Sequence, residues 1–71
     1  MNLDAYELAM QRIDEEFDLP QYIVSALIRE IQANSGRLPA DKHGRYQHLP
    51  SSVLTRIEVI VQEVFRIGID T

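Results

Sequence analysis

Apolar residues recur at spacings of three and four in three separate stretches of this chain, and polar residues fill the positions between them. In the first stretch Leu3, Tyr6, Met10, Ile13 and Phe17 form one stripe with Ala9 beside it, the pattern of an amphipathic helix over about residues 4–17. Asp4 followed three residues later by Glu7 resembles a capping box, and either acid suits the positive end of a helix dipole. In the second, Ile23, Val24, Leu27, Ile28 and Ile31 make one broad stripe over about residues 20–34, and Asn34-Ser35-Gly36 supplies a C-terminal stop. Proline disfavours helix in the residue before it but fits the first turn of a helix that follows, so Asp18, ahead of Leu19-Pro20, is expected to cap the second helix.

The third stretch, about residues 51–67, carries Val53, Leu54, Ile57, Ile60, Val61, Val64, Phe65 and Ile67 on an arc of roughly 160° at about 100° per residue. Its run IEVIVQEVF is rich in β-branched residues, which raises a strand alternative. The adjacent pairs Ile60-Val61 and Val64-Phe65 break the alternation a strand needs, and length and period favour a helix. Ser51 or Ser52 is the expected cap after Leu49-Pro50, and Gly68 the expected stop. Thr55, Glu58, Gln62 and Arg66 lie opposite the apolar arc, with Val59 alone among them.

These elements predict an all-α domain of 71 residues, a compact three-helix bundle with a long loop, residues 35–49, between helices 2 and 3. Helices 2 and 3 should form most of the core. The short link after Phe17 should pack helices 1 and 2 as an antiparallel or steeply crossed pair.

Helix 2 has more apolar surface than one neighbour covers. Tyr22, Ala26 and Ala33 lie on a face adjoining its main stripe, and Glu30 and Asn34 fall inside the wide apolar arc. One reading makes helix 2 the central helix, touching both others, with Glu30 reaching past them to water. The other makes Tyr22, Ala26, Glu30 and Ala33 a dimer or partner interface in which Glu30 is a polar specificity element.

The loop, GRLPADKHGRYQHLP from residue 36 to 50, is long for a compact domain, and such loops are usually functional or disordered. Leu38, Tyr46 and Leu49 are placed to pin it to the bundle, leaving Lys42, His43, Gly44 and Arg45 at a basic tip. As a nucleic-acid contact, Arg37, Lys42 and Arg45 would meet phosphates while Tyr46, His43 or His48 stacked on a base. As a protein contact, the loop would meet an acidic surface such as Asp14, Glu15 and Glu16 of another subunit. A plain solvated connector is the third reading. His43, His48 and Asp41 have no spacing characteristic of a metal site, and no metal or cofactor is expected.

Composition narrows these choices. Seven basic residues against eleven acidic ones give a net charge of −4, which disfavours a general phosphate binder. Cysteine is absent, removing disulfides, thiolate nucleophiles and Cys-based zinc sites. A chain this short also makes self-association a reasonable source of extra burial. The N-terminal residues lack the basic-then-apolar order of a signal peptide, and runs such as Val59 to Val61 fall far short of the roughly 20 residues of a membrane span. No membrane association is expected, and a cytoplasmic location is.

Ser25, Ser35, Ser51 and Ser52 sit in no nucleophile elbow, no glycine-rich phosphate loop occurs, and Asp14, Glu15, Glu16 and Asp18 read as a solvated helix face. A helix-turn-helix fits poorly, because the tight joint precedes a helix with few donors beyond Gln21, Arg29 and Gln32. The expectation is a small non-enzymatic protein-binding or regulatory module of the inhibitor or adaptor type, self-associating as a homodimer, with no small-molecule substrate. The competing class is a nucleic-acid-binding regulator using loop 37–48.

Overall fold

Asp4 accepts a hydrogen bond from the Glu7 backbone N–H at 2.8 Å, so the expected cap opens the first helix. The computed structural model describes residues 4–39, 46 and 48–68; Leu3 of the first apolar stripe and the tail at residues 69–71 lie outside them. Helix α1 spans Ala5–Glu16, α2 Gln21–Ala33 and α3 Ser51–Phe65. Among the described residues there is no strand, and no helix is long and apolar enough to cross a membrane.

The other two expected caps are not made. Pro20 and Pro50 themselves stand at the N-cap positions of α2 and α3, with φ of −59° and ψ of 140° and 145°. Proline's fixed φ serves an extended cap residue as well as a first-turn residue, and each proline carbonyl accepts the first helical bonds, from Ile23 and Val24 or from Val53 and Leu54. Asp18 is left two residues upstream, and Ser51 and Ser52 already lie inside α3. The end of α3 also comes early: Arg66 adopts the left-handed conformation at φ 56°, two residues before Gly68.

The core is built as the periodicity requires. Ala9 and Ile13 come from α1, Val24, Leu27, Ile28 and Ile31 from α2, and Leu54, Ile57, Ile60 and Val61 from α3, all buried. Burial of each large aliphatic side chain stabilises by about 1.5–3 kcal/mol. Helices α2 and α3 supply most of these residues, yet α2 is not central, because each helix packs against both others. Tyr6 on α1 donates a hydrogen bond to the Ser25 hydroxyl on α2.

Helix directions explain the long connection. Arg12 pairs with Glu63 at 2.9 Å, and Arg56 grips Glu16 with two bonds at 2.8 and 2.9 Å. As numbers rise along α1 they fall along α3, so these two helices run antiparallel. The four-residue link Phe17 to Pro20 reverses the chain into α2, and the segments that follow α2 and α3 meet at Gly36 and Gly68. Helices α2 and α3 thus point the same way, and the chain must return along the bundle, roughly 20 Å for thirteen helical residues at about 1.5 Å each. Leu38 and Tyr46 are buried along this path and Leu49 packs on the core, the three anchors expected of the loop. Topology requires a return along the bundle, which extended chain would cover in about six residues.

Two polar residues of α3 hold the start of the return path. Glu58 accepts the Leu38 N–H at 2.7 Å, and the Gln62 side-chain amide donates to the Gly36 carbonyl at 2.7 Å. Gly36 has φ +94°, and a Cβ there would lie 3.0 Å from Gln62 Cγ and 3.2 Å from Gly68 Cα. Glycine is needed for both the conformation and the approach.

Candidate functional site

The outward row of α2 and the end of the connection meet in one groove. Tyr22, Ile23 and Ala26 of α2 line it with Tyr46 and His48, enclosing about 260 Å³. This joins residues from two sets inferred separately from the sequence, the second face of helix 2 and the loop. Tyr46 closes the groove from inside and is only 4% exposed, whereas Tyr22 stands 76% exposed at its edge and His48 is exposed.

The remaining candidates divide. Ala33 is exposed on the same side of α2 as Tyr22, and Glu30 is half-buried; at about 100° per residue Glu30 lies about 80° around the helix from Tyr22. The interface set Tyr22, Ala26, Glu30 and Ala33 is therefore one outward row of three with Glu30 on its flank, and Glu30 does not simply reach past the bundle to water. Arg37 is exposed. Lys42, His43 and Arg45, with Asp41, lie outside the described residues. Among the described residues no three His, Asp or Glu side chains are grouped to hold a metal ion.

Sequence reasoning assigned Ile23 to the core stripe and missed its second contact with the groove. It also left Arg29 out of the interface set. Arg29 is exposed and completes a row Tyr22, Ala26, Arg29, Ala33 at spacings of four, three and four, a coiled-coil-like seam opposite the buried face. That spacing is visible in the sequence, but the strong apolar stripe on the other side masks it.

A larger trough of about 520 Å³ runs along α1, lined by Tyr6, Glu7, Met10, Gln11, Asp14, Glu15 and Gln21. It is broad and open to water, and Glu7, Asp14 and Glu15 are exposed, as a solvated helix face would be. Glu16, grouped with them as an acidic surface for another subunit, is instead held within the chain. Its hydrogen bonds to the Arg56 guanidinium hold its carboxyl below the usual glutamate range, and raise Arg56 above its ordinary value.

By fold the molecule is a small all-α domain of three helices, with a surface groove beside an exposed tyrosine as its candidate site. Comparison with known protein families, with curated proteins and with solved structures finds no match to the chain.

Proposed function

We propose that the chain is a non-enzymatic protein-binding module of the adaptor or inhibitor type, making contact through the outward row of α2 and the adjoining groove. One observation carries the reading: Tyr22 is 76% exposed beside a concave, partly apolar surface. Tyrosine is enriched among the residues that dominate binding energy at protein interfaces, because it brings a large contact area with few rotamers to order. The competing nucleic-acid reading loses Tyr46 as a stacking platform, since its ring is buried.

The test is recovery of bound protein from nuclease-treated extract by the tagged chain, its Tyr22→Ser variant and an Arg12→Ser control on the opposite side. A polypeptide held by the native chain and by the control, and lost from Tyr22→Ser at unchanged helix content, supports the module. Retention by Tyr22→Ser, or loss on nuclease treatment alone, overturns it.

A further inference from the structure

We infer that the partner segment is basic and amphipathic, an inference that rests on the protein-binding reading above. It sets one large apolar side chain in the groove of Tyr22, Ile23, Ala26 and Tyr46, and carries lysine or arginine across α2 to the acidic trough on α1. The two concavities are neighbours. Tyr22 lines the groove, and Gln21, the residue before it, lines the trough. At about 100° per residue, Ile23 and Ala26 lie to one side of Tyr22, and Gln21 and Ser25 to the other. Ser25 accepts the hydrogen bond of Tyr6, which also lines the trough. Tyr22 therefore stands on the ridge between an apolar groove and an acidic one.

Charge selects the occupant. Glu7, Asp14 and Glu15 are exposed around the trough, and its other lining residues, Tyr6, Met10, Gln11 and Gln21, are neutral at pH 7. Arg12, the cation of α1, is held by Glu63 of α3. Three carboxylates with no cation among them attract a basic segment, and the net charge of −4 adds to the attraction at longer range. Tyr6 and Met10 are half-buried at the trough and suit the aliphatic stems of lysine and arginine. A cation crossing the ridge passes exposed Tyr22, whose ring face attracts it. No carboxylate lines the groove, so the apolar and charged parts of the surface are separate. Exposed Arg29, one turn beyond Ala26, confines the basic side chains to the level of Tyr22. An acidic segment would be repelled by the trough, and a wholly polar one would leave the groove unfilled.

The test is selection of a displayed random-peptide library on the immobilised chain at low ionic strength, followed by fluorescence anisotropy of the enriched peptides. Helix content is checked for every variant. Enriched sequences should carry lysine or arginine close to a leucine, isoleucine, phenylalanine or tryptophan. Tyr22→Ser should weaken their binding at least about tenfold. The triple variant Glu7→Gln, Asp14→Asn, Glu15→Gln should weaken it about tenfold at low salt and flatten its salt dependence. Glu63→Gln, which removes an acid on the far edge of α1, should leave binding unchanged. Enrichment of acidic or neutral sequences, no enrichment over Tyr22→Ser, or basic peptides that bind the triple variant as tightly as the native chain overturns the inference. The extract test above sets no condition on charge, so a foreign protein lost on Tyr22→Ser leaves the binding module standing with a different kind of partner, and the two readings fail separately.

Discussion

Along one edge of α3, Arg56 and Glu63 pair with charged side chains of α1, whereas along the other Glu58 and Gln62 hold the backbone of the connection at Leu38 and Gly36. The pairs to α1 are a third to a half exposed, so water and salt compete with them and long side chains must be ordered to make them. The bonds to the connection are partly buried and satisfy backbone groups that would otherwise lose water without gaining a partner. Similar residue types thus contribute differently according to what they bind: the first edge adjusts stability and the second determines where the chain goes.

The largest expected effect is at Gly36. Alanine there must adopt φ near +94° and displace Gln62, and strain of this kind costs roughly 1–3 kcal/mol before the lost hydrogen bond is counted. Urea unfolding of Gly36→Ala should show a lower midpoint, and a midpoint equal to the native one would mean that the approach of Gly36 to Gly68 constrains little.

Next comes Glu58→Ala, which strands the Leu38 N–H and should cost about 1–3 kcal/mol, with faster hydrogen exchange at that amide. Glu58→Gln keeps an accepting oxygen and should recover most of the loss. Equal losses in both variants would point to the charge instead of the acceptor.

Arg12→Ala on the opposite edge should cost less than about 1 kcal/mol, and the difference from the native chain should shrink as salt is raised. No such salt dependence is expected of the Glu58 variants, so thermal melts at low and high ionic strength separate the two edges directly.

The smallest effect is in the pH dependence. Because Arg56 lowers the pKa of Glu16 in the folded chain, the stability this pair contributes is present above the ordinary glutamate range and is lost as pH falls through the depressed folded value. The gap between native and Glu16→Gln stability should therefore close on acidification. A gap that widened at low pH would contradict the ion-pair assignment.

The helices and the core were legible because periodicity reports directly on burial, and Ile13, Leu27 and Ile57 stand where their spacing put them. The Asp4 cap was legible because it acts within one turn. The caps of α2 and α3 were misread because proline fits two neighbouring positions at a helix start, and sequence does not choose between them. The connection drew attention for its length, but that it must return along the bundle depends on the relative direction of α2 and α3, a property no local pattern carries. Glu58 and Gln62 looked like any solvent-facing pair one turn apart; what sets them apart is backbone that arrives from elsewhere. At the candidate site, Tyr22 and Ala26 stood out as apolar residues off the main stripe, but their meeting with Tyr46 and His48 depends on the return path.

That return path also bears on how the chain assembles. Tyr6 and Ser25, which join α1 to α2, are 19 residues apart, while Arg56 and Glu16 are separated by 40 and Arg12 and Glu63 by 51. Contacts between near segments close at lower entropic cost than contacts between distant ones. The first two helices can form a hairpin from local encounters, and α3 meets the start of the connection at separations of 20 and 26 residues, so the longest loop closure, and with it the kinetic burden of folding, rests on the edge of α3 that pairs with α1.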